Sequence, residues 1–227
     1  MMDNTDATHP TNVPSAETIE LASHVKVLDG KGNQVLFGDL FASSKTIIVF
    51  IRHFFCGTCQ VRFMARFLDL ESAPNNFPVQ TYVSQLAAVP GNKLAESNVQ
   101  LVIIGCGEWE LIDDYKKNTG FTGNIYADPS RELYHKLGMT TENLKTTPAG
   151  QEKRTYVPGI VSSVLKSIWK GPITHPLQLG KQGNISQLGG DFIFGPGNTC
   201  PFAHLMEHTE DHIEVLDLMK EAGVKMQ

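Results

Sequence analysis

Residues 46–51 read Thr-Ile-Ile-Val-Phe-Ile, an unbroken apolar run rich in β-branched side chains. A strand with apolar residues at every position is buried on both faces, which is typical of a central parallel strand. A Cys-Gly-Thr-Cys motif follows soon after it at 56–59, and residues 59–70 then carry apolar side chains at helical spacing. The order of strand, cysteine pair and helix predicts an α/β fold with both cysteines beyond the end of a central strand.

Strand and helix signals alternate along the chain after this motif. A helix is predicted over roughly 77–88. Residues 99–104 and 124–127 predict two further strands, and each is followed by a helical stretch, at 108–118 and 128–137. Such alternation indicates an open sheet with right-handed crossovers.

The two ends of the chain predict additional pieces of the same sheet. Residues 24–30 predict a short edge strand that pairs with 34–37. Residues 191–204 predict a hairpin around a Gly-Pro-Gly-Asn turn. A last helix is predicted to begin at Thr209, whose side chain would cap it, and to stop at Gly223.

The length of 227 residues fits one large domain with extensions. Residues 1–18 are polar and contain two prolines, so we expect a disordered tail. Residues 19–227 are then a single domain. The irregular stretch 139–180 is predicted to be an insertion, with a helix at 160–169 packed on one face of the sheet.

Composition and charge exclude several classes of function. Hydrophobic residues make up 41% and charged residues 19%, which is ordinary for a globular protein, and the net charge is −5. An acidic chain without a basic stripe favours neither nucleic acid nor an anionic membrane as a partner. No apolar run reaches the ~20 residues that a membrane helix needs, and the start does not resemble a secretory signal. We therefore expect a cytoplasmic protein.

In a chain without an export signal, a CxxC motif indicates redox or metal chemistry rather than a structural disulfide. A thiol at the start of a helix faces unpaired N–H groups and the positive end of the helix dipole, which favour the nucleophilic thiolate. Arg52 can add a fixed positive charge from the strand end. We expect Cys56 to attack the substrate and Cys59 to resolve the product.

Two competing interpretations of the motif remain open. Cys56 and Cys59 could be small buried side chains without chemistry. They could also be half of a zinc or iron–sulfur site, which would need two further ligands. Cys106 and Cys200 are the candidates for those ligands, and Cys106 follows a predicted strand that would end at the same edge of the sheet.

Three histidines, His204, His208 and His212, are spaced by four residues and raise the question of a second metal site. If Thr209 caps the last helix, the first two lie outside that helix and share no face with the third. We therefore interpret these histidines as solvent-facing or capping residues and predict neither a metal nor a cofactor.

Four segments of the chain together resemble one protein family: RHFFCGTC at 52–59, LVIIGCGE at 101–108, IYADPSRELYHKLGM at 125–139 and QLGGDFIFGPGNTCPFAHLMEHTEDH at 187–212. They resemble the peroxiredoxin-like 2 group of the alkyl hydroperoxide reductase/thiol-specific antioxidant (AhpC/TSA) proteins, its fungal members most closely. The resemblance covers roughly residues 22–225. It implies a thioredoxin-like fold, with a mixed sheet flanked by helices, and a thiol site made of Cys56, Cys59 and Arg52.

At two places the sequence departs from the motifs of the wider families that share this fold. Phe54 and Phe55 stand where peroxiredoxins place proline and threonine or serine just before the reactive cysteine. The loop 187–190 lacks the cis-proline that thioredoxins place opposite their CxxC. The two phenylalanines either line an apolar pocket beside Cys56 or belong to the core.

The leading hypothesis is a thiol oxidoreductase that cycles Cys56 and Cys59 between dithiol and disulfide. Its expected substrate is a peroxide, an endoperoxide or a small oxidised metabolite, its expected electron donor is an external thioredoxin or glutathione, and it could form a homodimer. The alternative is a binding or scaffold protein that keeps the thioredoxin fold without turnover. An exposed Cys56 held as thiolate would distinguish the enzyme from the scaffold.

Overall fold

A computed structural model describes residues 13–54, 82–157 and 181–226. Within these ranges the chain forms seven strands: β1 (Lys26–Leu28), β2 (Gln34–Leu36), β3 (Lys45–Phe50), β4 (Val99–Gly105), β5 (Asn124–Ala127), β6 (Gly190–Gly195) and β7 (Thr199–Leu205). They make one sheet in the order β2-β1-β5-β4-β3-β6-β7. β3, β4 and β5 are parallel to one another, whereas the remaining neighbours pair antiparallel, so the sheet is mixed as predicted.

Helices cover both faces of this sheet. They are α1 (Ala16–Ser23), α2 (Tyr82–Ala87), α3 (Gly91–Glu96), α4 (Ile112–Thr119), α5 (Glu132–Lys136) and α6 (Val215–Glu221), with 3₁₀ turns at Phe37–Leu40 and Trp109–Leu111. Apolar residues of α2, α4 and α6 pack with Val49 and Ile51, on what we call the Val49 face. Apolar residues of α1 and α5 pack with Ile48 and Phe50, on the Phe50 face.

The run that decides the fold is the centre of this arrangement. In β3 every residue from Thr46 to Phe50 is buried. The strand pairs parallel with β4, where Phe50 lies opposite Ile104, and antiparallel with β6, where Phe50 lies opposite Gly190. The predicted central parallel strand is confirmed, as are the strands at 99–104 and 124–127 and the hairpin at 191–204.

The N-terminal region differs from the prediction in two respects. Helix α1 begins at Ala16, inside the predicted tail, because the Ser15 hydroxyl caps it by accepting from the Thr18 N–H at 3.1 Å. Strand β1 is not an edge strand, because it pairs with β2 on one side, as predicted, and with β5 on the other through Leu28 and Ala127.

The last helix begins later than predicted. α6 starts at Val215, so Thr209 is not its cap. Thr209 is instead buried, and its N–H donates to the Lys145 carbonyl at 2.8 Å. The Glu210 carboxylate accepts a hydrogen bond of 2.6 Å from the Thr147 hydroxyl. These long-range contacts fasten residues 206–214, which we call the C-terminal strap, against the loop 143–156.

Several predictions fall outside the described residues. The CxxC motif with Cys56 and Cys59, Phe55, and the helices predicted at 59–70 and 160–169 belong to this group. The helix predicted over 77–88 is present from Tyr82 to Ala87 in the described part. None of the helices within the described ranges is both long and apolar enough to cross a membrane.

Candidate active site

The carboxyl ends of β3 and β4 meet at one edge of the sheet, where the chain runs on towards the CxxC motif. Ile51 extends the pairing, and its N–H donates to the Ile104 carbonyl at 2.9 Å. The buried Tyr134 hydroxyl lies 2.6 Å from the Ile51 carbonyl and 3.0 Å from the Ile104 carbonyl and donates to both. This clamp fixes the direction in which the chain leaves β3.

Arg52 follows immediately and lies at this edge, as its sequence position predicts. The residue is only 6% exposed, and its Nη2 donates to the Ile185 carbonyl at 2.7 Å. Its own carbonyl accepts a hydrogen bond from the Cys106 thiol at 2.8 Å. A buried guanidinium is therefore held four residues before Cys56, although Cys56 and Cys59 themselves lie outside the described residues.

The two described cysteines are buried thiols. Cys106 lies at the carboxyl edge beside Arg52, as predicted, and burial raises the pKa of its thiol to about 12. Cys200, the second residue of β7, donates to the Phe202 carbonyl at 3.1 Å, and burial likewise raises its pKa to about 12. With its pKa raised in this way, each thiol is protonated at neutral pH, and a protonated thiol is a poor nucleophile.

Cys106 and Cys200 also lie too far apart to complete one metal site together. Cys106 follows the carboxyl end of β4, whereas Cys200 is the second residue of β7 and lies towards the amino end of β3, at the opposite end of the strands. The six residue levels between them correspond to roughly 20 Å along the strands. The half-site completed by both cysteines is therefore ruled out. No group of three or more histidine, cysteine or acidic residues within the described ranges could hold a metal ion.

A loop formed by residues 181–189 covers this edge, and two glycines allow it to approach so closely. Gly183 has a φ of +91°, and a Cβ there would lie 2.4 Å from the Cys106 carbonyl oxygen. A Cβ on Gly189 would lie 1.7 Å from the Phe50 carbonyl oxygen. The loop 181–189 therefore rests directly on the carboxyl ends of β3 and β4.

Phe54, the last described residue before the motif, belongs to the core. Its side chain is fully buried and packs edge-on against Tyr115, with ring centroids 5.4 Å apart. The same ring covers Gly105, where a Cβ would meet it at 2.7 Å. Phe54 is thus a core residue, whereas the predicted pocket beside Cys56 lies outside the described residues.

A buried acid–histidine pair on the Val49 face was not predicted. Asp191 is fully buried on β6, and its Oδ1 accepts from His212 Nδ1 at 2.9 Å and from the Tyr82 hydroxyl at 3.0 Å. Its Oδ2 accepts from the Ile213 N–H at 3.0 Å. Burial alone would raise the pKa of Asp191, but the charge and hydrogen bond of His212 outweigh it and lower the pKa.

The three spaced histidines contact acidic residues, so the interpretation of solvent-facing or capping side chains was wrong. His204 bonds the Asp211 backbone carbonyl and lies 3.6 Å from its carboxylate. His208 lies 3.9 Å from the same carboxylate, and His212 binds Asp191. The histidines therefore hold the C-terminal strap, which the chain order alone could not indicate.

The pair of His204 and Asp211 makes the stability of the protein depend on pH. Burial would lower the pKa of His204, but the hydrogen bonds that His204 makes to Asp211 and the negative charges of Asp191 and Asp211 together outweigh burial and raise the pKa. Burial alone would raise the pKa of Asp211. The hydrogen bond and the charge of His204 act against burial, and the pKa of Asp211 is lowered. The histidine contribution is lost as pH rises through its raised pKa, and the aspartate contribution is lost as pH falls through its lowered pKa. We expect the pair to stabilise most between about pH 4 and pH 6.5.

Urea unfolding of the unsubstituted protein and of Asp211→Asn across this pH range measures the effect. The difference in midpoint should be largest inside the window and shrink above it. Asp113→Asn, on the exposed side of α4, is the matched control and should show no such window. A difference between Asp211→Asn and the unsubstituted protein that stays constant with pH contradicts the prediction.

Comparison with known proteins shows that the sequence of this chain is similar to one protein family. The sequence profile of the AhpC/TSA antioxidant enzymes matches residues 85–208. Peroxiredoxin-like 2C of Bos taurus is 35% identical over 221 residues, covering 95% of this chain and 86% of the bovine protein. The Homo sapiens protein of the same name is 32% identical over 217 residues, covering 95% and 85%. Prostamide/prostaglandin F synthase of Aquarana catesbeiana is 25% identical over 192 residues, covering 83% and 78%.

Solved structures share the fold at low sequence identity. A cysteine-to-serine mutant of peroxiredoxin 6 from Arenicola marina gives a TM-score of 0.51 at 16% identity, covering 88% of this chain and 69% of that one. The bacterioferritin comigratory protein of Xanthomonas campestris gives 0.51 at 9% identity, covering 95% and 99%. The predicted thioredoxin-like, peroxiredoxin-like fold is confirmed.

Proposed function

Because the chain belongs to the peroxiredoxin-like 2 group of the AhpC/TSA antioxidant proteins, we propose that it is a thiol oxidoreductase that cycles Cys56 and Cys59 between dithiol and disulfide. One observation carries the proposal. The buried guanidinium of Arg52 is fixed at the end of the central strand, four residues before Cys56, by its bond to the Ile185 carbonyl. A fixed positive charge near a thiol favours the thiolate that the chemistry needs.

The proposed cycle conserves atoms and electrons. The Cys56 thiolate attacks one oxygen of a hydroperoxide, the O–O bond breaks, an alcohol leaves after protonation, and Cys56 becomes a sulfenic acid. The Cys59 thiol then displaces the sulfenic hydroxyl, which forms the disulfide and releases water. An external dithiol, a thioredoxin, or two glutathione molecules return two electrons and regenerate both thiols.

The substrate class follows from the same chemistry. A hydroperoxide, a lipid endoperoxide and a small oxidised metabolite each offer a weak bond to an attacking thiolate. The name of the frog relative, a prostaglandin F synthase, supports an endoperoxide as one candidate. With an endoperoxide, Cys56 would form a sulfur–oxygen bond to one oxygen, and Cys59 would then release the product as a diol.

A stoichiometric titration tests the proposed function. The reduced protein is mixed with a hydroperoxide, a lipid endoperoxide or a model disulfide, and the disulfide between Cys56 and Cys59 is measured by peptide mass spectrometry. We expect one equivalent of at least one oxidant to close the disulfide within seconds to minutes. If none of them oxidises Cys56 faster than free cysteine at the same pH, the protein is instead the binding or scaffold protein of the alternative hypothesis.

Arg52→Ala is expected to slow alkylation of Cys56 about tenfold at neutral pH, because a charge contribution of roughly 1–1.5 kcal/mol to the thiolate is lost. Arg52→Lys is the matched control, since it keeps the charge and loses the guanidinium geometry. Iodoacetamide labelling against pH, followed for the peptide that contains Cys56, measures the rate. An unchanged rate in Arg52→Ala would show that Arg52 does not act on the thiol.

A further inference from the structure

The carboxylate of Glu142, a residue at the surface, holds the loop 181–189 through two of its side chains. Its Oε2 accepts hydrogen bonds from Asn184 Nδ2 at 2.9 Å and from the Ser186 hydroxyl at 3.2 Å. These two residues flank Ile185, and Asn184 Oδ1 also accepts from the Ser186 N–H at 2.9 Å. The carboxylate therefore restrains the chain on both sides of the Ile185 carbonyl.

The part of the loop restrained in this way covers two buried groups at the carboxyl edge of the sheet. The Ile185 carbonyl accepts the hydrogen bond of 2.7 Å from Arg52 Nη2. The Asn184 carbonyl oxygen lies 3.8 Å from the Cys106 sulfur, and a Cβ on Gly183 would lie 2.7 Å from the same sulfur. The contacts that shield the Cys106 thiol and fix the Arg52 guanidinium therefore come from neighbouring residues of one short segment.

Arg131 orients the Glu142 carboxylate and is held in an unfavourable backbone conformation. Its Nη1 bonds Glu142 Oε1 and donates to Gln187 Oε1 at 3.1 Å. Its φ is +59°, in the left-handed region that favours glycine, at the position just before α5. Strained residues of this kind tend to occur where a side chain is needed for function. The contacts of the guanidinium with Glu142 and Gln187 are what an arginine supplies here and a glycine would not.

The rest of the loop is anchored by bonds that Glu142 does not make. Gln187 is fully buried, and its Nε2 donates to the Met139 carbonyl at 2.8 Å. The Ser186 carbonyl accepts from the Asn143 N–H at 2.8 Å. The bonds to Glu142 act on the part of the loop just before these anchors, which is the part that covers the sheet edge. Loss of the carboxylate should therefore release that part locally and leave the rest of the fold in place.

We propose that Glu142, oriented by Arg131, is a positioning residue that keeps the loop 181–189 closed over the sheet edge and thereby holds the guanidinium of Arg52 in place. Hydrogen bonds to an ionised acceptor are stronger than those to a neutral one, so an amide in place of the carboxylate weakens several contacts at once. The loop then opens, Arg52 loses its carbonyl acceptor, and the Cys106 thiol reaches solvent. The inference rests on the proposed function for what Arg52 does, whereas the closure of the loop is independent of it.

Labelling of the Cys106 thiol in the folded protein measures how often the loop opens. Cys200 is the internal control, because it is also buried but lies at the opposite end of the strands. Glu142→Gln should raise the labelling rate of Cys106 about tenfold and leave that of Cys200 within about twofold. A variant that only destabilised the whole fold would expose both thiols alike. Peptide mass spectrometry after timed treatment with N-ethylmaleimide measures the two rates.

Arg131→Gly separates the side chain of Arg131 from its backbone. Glycine relieves the positive φ, so this variant should melt at the same temperature as the unsubstituted protein or higher. The labelling rate of Cys106 should nevertheless rise, because Glu142 has lost its guanidinium partner. Asn98→Gly is the matched control. Asn98 also has a positive φ, of +50°, but it is exposed at the end of α3, so its replacement should leave the labelling of Cys106 unchanged.

The guanidinium signals of Arg52 in nuclear magnetic resonance spectra test the second half of the proposal. They are assigned with Arg52→Lys and should shift in Glu142→Gln, because the bond to the Ile185 carbonyl is lost. Labelling of Cys106 that stays at the unsubstituted rate, or that rises only in step with Cys200, overturns the role of Glu142 in closing the loop. Unchanged Arg52 signals overturn its role as a positioning residue. Neither measurement needs turnover, so failure of the proposed function in the titration leaves both results unaffected.

Discussion

Cys56→Ser is expected to lose peroxide turnover by roughly a thousandfold or more, because a serine hydroxyl at neutral pH replaces the only nucleophile of the proposed first step. Neither described cysteine can substitute for it. Burial raises the pKa of Cys106 and of Cys200 to about 12, so both remain thiols at neutral pH. Consumption of hydrogen peroxide in the presence of a thioredoxin system measures the loss.

Cys59→Ser should give a different result, because Cys56 can still attack the substrate. The product then has no partner three residues away, so a sulfenic acid or a mixed disulfide accumulates at Cys56 and turnover stops after one cycle. Cys106→Ser and Cys200→Ser are the matched controls and should keep full turnover. Turnover that survives in Cys56→Ser would place the chemistry elsewhere and overturn the proposed role of Cys56.

Gly189→Ala is expected to lower the free energy of unfolding by roughly 3 kcal/mol, at the upper end of what overpacking costs. The added Cβ would lie 1.7 Å from the Phe50 carbonyl oxygen and 2.7 Å from its carbon, and both belong to a backbone that β4 and β6 hold in place. The loop must move away from the strand end. A loss of this size corresponds to roughly 6–12 °C in Tm for a chain of this length.

Gly91→Ala is the control for this substitution. Gly91 begins α3, and a Cβ there would meet nothing within 4 Å. Alanine has the higher helix propensity, so this variant should melt at the same temperature or slightly higher. Thermal unfolding followed by circular dichroism compares the two. If Gly189→Ala melts with the unsubstituted protein, the loop does not press on the end of β3 in solution.

The sheet could be predicted from the sequence because its central strands are short, apolar and rich in β-branched residues. β3 and β4 each appear as such a run, and the β6–β7 hairpin carries its own turn residues. The start of α6 could not be predicted in this way. Thr209 has the chemistry of a helix cap, but its N–H and its neighbours bond a loop more than sixty residues earlier. Local propensity cannot anticipate such contacts.

The candidate site likewise contains one residue that could be predicted from the sequence and a pair that could not. Arg52 could be predicted because it directly follows the apolar run that ends at Ile51. The pair of Asp191 and His212 could not, because its partners are 21 residues apart and meet only where the C-terminal strap, after β7, folds back against β6. One signal was present in the sequence. An acidic residue at the start of the apolar strand Asp191–Phe194 must be either exposed or partnered.

Burial of Cys106 and Cys200 limits how many oxidation states the molecule can reach. With two of its four cysteine thiols shielded, the proposed cycle would give the folded protein a single dithiol/disulfide couple with one midpoint potential. Intermolecular cross-links through the shielded sulfurs would first require unfolding.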